Sequence, residues 1–389
     1  MLNTLAISNY RSALDLALPL GPLNVITGAN GSGKSNLYRS LRLLAATARD
    51  DVIAALASEG GLESTFWAGP ETLTTAMRRG LVPVQGGPRQ HNRRLKLGFT
   101  GDDFGYLIEL GLPKPDSTTA FNLDPEIKRE IIWAGGTYRP ASVLVDRRGP
   151  MVKVRSESGW KLIAAHLNSF DSLFSQVADA NSAPEVLTLR ERIRGWRFYD
   201  HFRTDRDAPA RQVQIGTRTP VLNHDGHDLA AALQTIREIG DSRALDAAIE
   251  DAFPGARLEI APLPDGRLKL EFHQHGLLRP LSAAELSDGT LRYLLLIAAL
   301  LTPRPPSMMV LNEPENSLHP DLLPALARLI EKACEHSQLW VVSHANALVE
   351  ALGVHPDCQH TELTKELGET RVVGQGILDT PRWQWPEAG

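Results

Sequence analysis

Cysteine is scarce in this sequence, and its scarcity limits both redox chemistry and metal binding. Cys334 and Cys358 are the only two cysteines among 389 residues. Their spacing matches neither a metal-binding pair nor a disulfide framework. Such usage is typical of a protein in the reducing cytosol, so we expect a cytoplasmic location.

Long apolar runs and a basic leader are also lacking. The longest uninterrupted apolar run ends at Leu301 and falls far below the ~18 residues that a membrane-spanning helix requires. Arg11 and Asp15 interrupt the first apolar stretch, and no basic segment precedes it. The sequence therefore predicts neither a signal peptide nor a membrane partner.

An excess of positive charge is absent as well. Lys and Arg number 41 against 46 Asp and Glu, a formal net charge of −5, so the whole chain does not attract nucleic acid. Two local basic groups could still bind a DNA backbone. Arginines at alternate helical positions diverge, however, so most are expected to be solvated or paired locally. The groups are Arg89, Arg93, Arg94 and Lys96, and then Arg190, Arg192, Arg194, Arg197, Arg203, Arg206 and Arg211.

The most informative feature that is present is the run from Gly28 to Ser35, which matches the phosphate-binding pattern G-x-x-x-x-G-K-[ST]. It follows a predicted strand, 23–27, and precedes a predicted helix, 36–48. In such a loop Lys34 reaches the β- and γ-phosphates of ATP, and the hydroxyl of Ser35 binds Mg²⁺. The predicted nucleotide-binding residues here are Asn30, Gly31, Ser32, Gly33, Lys34, Ser35 and Asn36.

Two apolar runs near the end of the chain stop at chemically active side chains. The run 308–312 leads to Glu313, and the run 338–343 leads to His344. Ligands of open parallel sheets bind beyond the carboxyl ends of the strands. We therefore expect both side chains on the same rim as the phosphate-binding loop, where an acidic residue such as Glu313 normally holds Mg²⁺ through water and polarises the attacking water.

A second phosphate receptor is predicted just upstream of that glutamate. Ser287 and Gly289 lie where a helical run, 291–301, begins. A hydroxyl and backbone N–H groups at a helix start can bind an anion. Arg292 lies in the first turn of this helix and could reach a partner's nucleotide or form a local contact.

These motifs, in this order, resemble those of the ABC-type ATPase family, and more narrowly its SMC/RecF/OLD-like branch. The resemblance assigns Walker A to 28–35, the signature loop to 286–290, Walker B to 308–313, the D-loop to 314–320, the switch histidine to His344 and an N-terminal strand element to 7–12. It covers residues 1–70 and 280–373 well. The branch also includes proteins with an appended TOPRIM nuclease domain or a coiled coil. We expect neither here, because no apolar heptad seam persists and the chain ends soon after the last ATPase element.

The sequence departs from the family pattern at two places. Walker B normally reads Asp-Glu, and here Asn312 precedes Glu313. An amide oxygen can still accept a hydrogen bond from a Mg²⁺-bound water, but it supplies no negative charge, so weaker metal binding is expected. The Q-loop glutamine is also unassigned: Gln85 and Gln90 are candidates, and Asn122 or Asp124 could take the role.

The resemblance implies an α/β fold: a P-loop ABC-ATPase head with a mostly parallel core sheet, an antiparallel β subdomain and a compact helical insertion. We expect an N-terminal ATPase lobe over 1–165, a helical insertion over 166–255 and a C-terminal ATPase lobe over 256–389. Local patterns predict a hairpin around residues 100–103 and helices over 172–180, 185–195, 228–239 and 242–253. The polar, arginine-rich segment 203–219 is expected to be an exposed loop. Within the insertion, Trp196, Phe198 and Tyr199 are expected to form core rather than a base-stacking platform.

The resemblance also implies a mechanism, in which Glu313 is the general base and His344 holds the γ-phosphate, and it implies partners. Two heads would enclose two ATP molecules with Mg²⁺, each between the Walker A of one subunit and the signature of the other. The expected function is a homodimerising ATPase switch in DNA repair or anti-phage defence, acting on DNA or through a nuclease or toxin partner. The alternatives are a regulatory scaffold with little hydrolysis and, less favoured, a transporter ATPase. Arg11 is either a surface charge or a contact of the ATP base or ribose, and His319 either caps a helix or acts across the dimer.

Overall fold

The computed structural model describes residues 1–84, 93–376 and 379–386. The chain divides into two compact units. Unit 1 comprises Met1–Gly21, Thr27–Trp196 and Thr361–Gly389, and unit 2 comprises Pro22–Ile26 and Arg197–His360. The structure thus divides the chain differently from the expected boundaries at 165 and 255.

The strands of the described residues are, in chain order, β1 Leu2–Tyr10, β2 Ala13–Pro19, β3 Leu23–Gly28, β4 Leu95–Gly101, β5 Phe104–Gly111, β6 Glu126–Ala134, β7 Val143–Arg148, β8 Met151–Ser156, β9 Gly159–Ala164, β10 Arg197–Tyr199, β11 Gln214–Ile215, β12 Arg257–Pro262, β13 Arg267–His273, β14 Leu281–Ser282, β15 Met308–Asn312, β16 Gln338–Val342, β17 Cys358–Glu366 and β18 Glu369–Val372.

The helices are, in chain order, α1 Lys34–Thr47, α2 Val52–Ser58, α3 Leu62–Thr65, α4 Thr75–Arg78, α5 Leu173–Gln176, α6 Pro184–Arg194, α7 Leu229–Ile239, α8 Ser242–Ala252, α9 Asp288–Leu300, α10 Leu323–Cys334 and α11 Asn346–Gly353. The longest of them, α1, has 14 residues, in agreement with the absence of a coiled-coil seam. No helix within the described part of the chain is both long and apolar enough to cross a membrane.

Unit 1 is built on an antiparallel sheet in the order β2-β1-β4-β5-β6-β7-β8-β9. The predicted hairpin around residues 100–103 is confirmed as β4 and β5, where Leu97 pairs with Ile108. The N-terminal amine binds Asp102 in the turn of this hairpin at 2.7 Å. Strands β8 and β9 were not predicted, and they extend the sheet by a second hairpin.

Unit 2 contains parallel strands in the order β10-β15-β16-β3. Residues 308–311 and 338–342 are buried throughout, as expected for parallel strands covered on both faces. Helix α9 is buried from Leu291 to Leu300, which is typical of a helix enclosed by a core. The antiparallel strands β11, β13 and β12 form a smaller sheet, and β14 pairs with β13.

The expected helical insertion is only partly a separate element. Its predicted helices appear as α6, α7 and α8, but α7 and α8 contribute buried residues such as Leu233 and Leu245 to the same core cluster as α9. The aromatic run lies in the core, as predicted, yet residues 197–199 form β10, which pairs in parallel with β15. Apolar residues of the insertion are thus needed to cover the parallel sheet of unit 2.

Candidate functional site

The phosphate-binding loop of unit 1 depends on glycine for its shape. Gly28, Gly31 and Gly33 all have positive φ, at 138°, 79° and 112°, a region that side chains with a Cβ rarely adopt. A Cβ at Gly33 would lie 2.1 Å from Thr370 Oγ1, and one at Gly28 would lie 2.2 Å from the carbonyl oxygen of Leu363. The tip at Asn30 and Gly31 is exposed. The loop is therefore a tight turn whose outer edge faces solvent.

The loop fits a triphosphate. Lys34 donates to the carbonyl oxygens of Gly28 at 2.6 Å and Ala29 at 3.0 Å, so its ammonium lies across the loop opening. The Ser32 hydroxyl oxygen is buried and has no hydrogen-bond partner in the structure. A buried hydroxyl without a partner is costly unless a ligand completes it. Ser35, exposed in the first turn of α1, is free to offer its hydroxyl to Mg²⁺.

A chain of three hydrogen bonds supports the loop from behind. Asn36 Nδ2 donates to Ser12 Oγ at 2.7 Å, and Ser12 Oγ lies 2.6 Å from Thr370 Oγ1. Thr370 Oγ1 donates its proton to the carbonyl oxygen of Ser32 at 2.8 Å, so Ser12 must be the donor to Thr370. Asn36, predicted to bind the nucleotide, thus holds the loop, and Ser12 and Thr370 are supports that sequence reasoning missed.

Arg11 is placed in a local ion pair. Its guanidinium binds Glu59 Oε2 through Nη2 at 2.7 Å and Nε at 3.1 Å, and the hydroxyl of Tyr10 donates to the same oxygen at 2.8 Å. Burial and the Glu59 carboxylate raise the pKa of Tyr10, so its phenol stays a donor. The structure therefore pairs Arg11 with Glu59, and its contact with the ATP base or ribose stays a prediction.

In unit 2 the register aligns the carboxyl ends of three parallel strands. Asn312 of β15 pairs with Val342 of β16, which pairs with Ile26 of β3. Glu313 and Ser343 follow these ends directly, and the Ser343 N–H donates to the carbonyl oxygen of Ile26 at 3.1 Å. The carboxyl ends of β3, β15 and β16 are therefore aligned at one edge of the sheet of unit 2, as the sequence predicts.

Glu313 and His344 meet at this rim. Glu313 has φ 49°, a left-handed conformation that costs a non-glycine residue about 1 kcal/mol or more and is often found at functional sites. One carboxylate oxygen lies 3.4 Å from His344 Nε2, and the other accepts from Asn316 Nδ2 at 2.7 Å. Both side chains are more than a third exposed, so the pair remains open to a ligand.

Glu315 joins the loop after β15 to the loop that carries His344. Its Oε1 accepts from Ser343 Oγ at 2.7 Å, from the His344 N–H at 2.8 Å and from the Ala345 N–H at 3.2 Å. Its Oε2 is buried and has no hydrogen-bond partner among the residues that the structure describes. Sequence reasoning missed Glu315, although a second carboxylate two residues after Glu313 was a visible signal.

Arg292 forms local contacts, one of the two alternatives that the sequence left open. It is almost fully buried, and it donates to the carbonyl oxygen of Glu313 at 3.0 Å and more weakly to that of Pro314 at 3.5 Å. Burial lowers its pKa, while Glu315 and Glu313 act in the opposite sense. One cation therefore ties the start of α9 to the backbone that presents the predicted base.

The signature loop forms a capped and braced helix start. Ser287 Oγ accepts from the Thr290 N–H at 3.1 Å and so caps α9. A Cβ at Gly289 would lie 2.8 Å from the Ser317 carbonyl oxygen, so close packing requires glycine there. Arg211, predicted to lie in an exposed loop, instead binds Asp288 at 2.7 Å and the carbonyl oxygen of Leu286 at 2.7 Å.

Several other predicted residues have local partners. His319 caps a 3-10 turn by accepting from the Asp321 N–H at 3.3 Å. Asn122 hydrogen-bonds Asp116 within its own loop. Gln85, Arg89 and Gln90 lie outside the described residues. Three arginines of the second basic group form local ion pairs, as expected: Arg190 and Arg194 with Glu191, and Arg203 with Asp205. Arg192 pairs instead with Asp103, which is 89 positions away in sequence.

Ser35 is exposed and Asn312 is partly exposed, and their predicted role as Mg²⁺ ligands, direct for Ser35 and through water for Asn312, stays a prediction. Elsewhere, in the part of the chain that the structure describes, one group of three possible metal ligands is close together: Glu259, Glu271 and His273. Arg257 binds Glu259 at 3.0 Å and Lys269 binds Glu271 at 2.9 Å. These cations neutralise the carboxylates of β12 and β13 without a metal.

Comparison with known proteins agrees with this geometry. A family model described as "AAA domain, putative AbiEii toxin, Type IV TA system" matches residues 23–350. The chain is 46% identical over 44 residues to the OLD nuclease of Thermus scotoductus. That stretch is 11% of this chain and only 8% of the relative.

Solved structures of SMC heads have a similar fold. An SMC head bound to the C-winged helix domain of ScpA matches 97% of this chain and 98% of its own, with 14% identity and a TM-score of 0.51. The SMC head domain from Thermotoga maritima matches 97% and 99%, with 14% identity and a TM-score of 0.43. The first likeness confirms the predicted head fold. Since the family model covers most of its length, the chain belongs to this AAA-domain family, and its fold is similar to that of an SMC head.

Proposed function

We propose that the chain binds ATP on the loop 28–35 and hydrolyses it with Glu313 as general base. The observation that carries this proposal is the pairing of Glu313 with His344 at 3.4 Å, beyond the aligned ends of β15 and β16. A carboxylate within hydrogen-bonding distance of a water molecule can accept a proton from that water. Neither side chain is buried in the core, so their proximity has no evident packing purpose.

Each residue has a distinct part in the proposed reaction. Lys34 leaves its two carbonyl partners and binds the β- and γ-phosphates, and the backbone N–H groups of the loop bind the remaining oxygens. Glu313 orients the water and takes its proton, while His344 holds the γ-phosphate. Mg²⁺, when bound with the nucleotide, supplies charge neutralisation at the phosphates.

Dimerisation is part of the proposal. Ser287 and Gly289 start α9 with a side-chain cap and close glycine packing. In the ABC-type scheme this element completes the ATP site of a second copy. ATP would then bind the closed dimer better than ADP does, and this difference would shift the equilibrium between open and closed forms.

The biological role that we propose is a nucleotide switch in anti-phage defence or DNA repair, acting on DNA or through a nuclease or toxin partner. The matched family is described as a toxin of a type IV TA system and the matched relative is a nuclease, which supports a toxin or nuclease partner. Asn312 favours a second candidate, a regulatory protein that binds ATP and hydrolyses little, because it removes a charge from the Mg²⁺ environment.

Phosphate release from the purified full chain tests the proposal. Glu313→Gln should lower the rate by about 100-fold or more while ATP binding persists, since a general base typically contributes 10²–10⁴-fold. Glu350→Gln, an exposed glutamate of α11, is the matched control. Turnover by wild type that Glu313→Gln does not lower would contradict the proposed base. ATP binding with negligible turnover by wild type would favour the regulatory candidate.

A further inference from the structure

A second, separate binding site is indicated by one face of the sheet in unit 1. In β8, Val152 and Val154 are buried while Met151, Lys153 and Arg155 are exposed. Register places Trp160 opposite Arg155, so it lies on this exposed face. Trp160 and Met151 are 43% and 44% exposed. An aromatic and an aliphatic side chain are thus presented to solvent among cations.

The face borders a cavity of about 390 Å³. Its lining combines apolar and aromatic side chains with charged ones. None of the residues from Gly28 to Ser35 lines it. Its lining residues are Arg129, Tyr138, Pro140, Val143, Asp146, Arg148, Met151, Lys153 and Trp160.

The charge of this cavity is positive. Asp146 is its one acidic lining residue, and it is already bound by Arg129 at 3.2 Å and Arg148 at 3.1 Å. Lys153 makes no ion pair with any residue of 1–84, 93–376 or 379–386. Arg155 lies over the Trp160 ring at 5.5 Å. The lining thus carries three cationic side chains and one acidic side chain, on a protein whose net charge is −5.

We propose that this cavity binds a nucleotide unit, with its base on Trp160 and its phosphate at Lys153 and Arg148. A flat ring stacks on an exposed indole whatever the base, and basic side chains beside it bind the backbone phosphate. The volume lies at the small end of ligand pockets, which suits a single nucleotide. The nucleotide unit that binds here is either a free mononucleotide or one nucleotide of a single-stranded nucleic acid.

This site goes beyond the proposed ATPase and does not depend on it. To remove ATP-site binding, the test uses the full chain carrying Lys34→Ala. The probes are thymidine monophosphate, followed by calorimetry, and a fluorescent short oligothymidylate, followed by anisotropy. The site variants are Trp160→Ala and Lys153→Glu. The control is Lys161→Glu, which makes the same charge change at an exposed residue one position along β9, on the opposite face of the strand.

The expected result is saturable binding of at least one probe, weakened about tenfold or more by each site variant and less than twofold by the control. Binding of the monophosphate alone assigns the site to free nucleotides, and binding of the oligonucleotide alone assigns it to a strand. Absence of saturable binding for both probes would overturn the proposal, as would equal weakening by Lys161→Glu. The site variants are exposed and should leave ATP turnover of the otherwise wild-type chain unchanged, so failure here is separate from failure of the ATPase.

Discussion

Glu315 Oε1 accepts a hydrogen bond from the backbone N–H of His344 at 2.8 Å. The same oxygen also binds Ser343 and Ala345. One carboxylate therefore fixes the loop that carries His344, the predicted switch histidine, from a point two residues after the predicted base. Hydrogen bonds to a charged acceptor each contribute about 1.5–3 kcal/mol, so this contact is strong enough to set the geometry of the loop.

Replacing Glu315 by alanine should slow ATP turnover without comparable loss of ATP binding. The loop would lose its three bonds, and misplacement of His344 should lower kcat about 10- to 100-fold, the effect of losing about 1.4–2.8 kcal/mol in the transition state. Glu315→Gln keeps an acceptor oxygen and should restore much of the rate. Steady-state kinetics with a separate ATP-binding titration measures both quantities. An alanine variant with wild-type kcat would show that Glu315 has no positioning role.

Restoring a carboxylate at position 312 should strengthen metal dependence. Asn312→Asp adds a negative charge next to Glu313, so the Mg²⁺ concentration for half-maximal phosphate release should fall several-fold, because carboxylates suit this hard cation. A Mg²⁺ titration of phosphate release measures the change. Asn181→Asp, at an exposed turn of unit 1, supplies the same charge elsewhere and should leave the titration unaltered. An unchanged midpoint in Asn312→Asp would mean that residue 312 is remote from the metal.

The strand ends of unit 2 could be predicted because apolar runs stop abruptly at polar residues. The runs before Glu313 and His344 are β15 and β16, and the P-loop follows β3. Hairpin β8–β9 was missed, although Met-Val-Lys-Val-Arg-Ser alternates as a strand does. The predicted helix at 172–180 is reduced to Leu173–Gln176, since Val177 is extended and Asp179 caps the turn that follows.

The supporting contacts were beyond prediction from local pattern. Ser12 and Thr370 are 358 positions apart, and nothing in either neighbourhood signals that they meet. Arg211 looked like part of an exposed loop because its segment lacks periodicity, yet its guanidinium reaches the signature backbone. Periodicity reports which face of an element is buried, whereas side-chain hydrogen bonds between distant segments depend on the assembled fold.

A bulky charge at the signature serine should block dimerisation. Ser287→Arg removes the cap of α9, which costs about 1 kcal/mol, and places a long side chain where the γ-phosphate of a partner copy would bind. With ATP present, light scattering should show a dimer for the Glu313→Gln variant. The double variant Glu313→Gln with Ser287→Arg should remain a monomer under the same conditions. Thr290→Arg, in the same turn, is not a suitable control because it borders the cap. Ser182→Arg makes the same substitution in unit 1, outside the signature loop, and should keep the dimer, whereas a dimer in the Ser287→Arg background would refute the scheme.

The two cysteines should react slowly with thiol reagents. Burial raises the pKa of Cys334 to about 11, and burial also raises the pKa of Cys358. Because the thiolate is the nucleophile, the folded chain at pH 8 should alkylate Cys334 at least about 100-fold more slowly than an exposed thiol with a pKa near 8.5. The raised pKa contributes stability that is present below the unfolded value and is lost as pH rises towards 11. Mass spectrometry after timed alkylation of the native and the denatured chain measures the ratio of the two alkylation rates. Equal rates in the native and denatured chain would contradict burial of the thiols.

Unit 1 should depend for its stability on one fully buried ion pair. Arg147 Nη1 binds Glu130 Oε2 at 2.6 Å, with both side chains inaccessible to solvent. Glu130 also accepts from Tyr106 at 2.7 Å and Ser172 at 2.6 Å, while Arg147 donates to the carbonyl oxygen of Asn168 at 2.7 Å. Arg147→Met removes the cation but leaves the carboxylate buried, so the free energy of unfolding should fall by about 3–5 kcal/mol.

Chemical denaturation of unit 1 within the full chain, followed by tryptophan fluorescence, measures this loss. The control is Arg148→Met, the adjacent arginine, which is more than half exposed and pairs with Asp146 at 3.1 Å; an exposed pair contributes at most about 1 kcal/mol. The double variant Glu130→Gln with Arg147→Met should recover part of the loss, because it no longer buries a charge. If Arg147→Met and Arg148→Met were equally mild, the buried pair would contribute no more than the exposed one, and the hydrogen bonds from Tyr106 and Ser172 would suffice to hold Glu130.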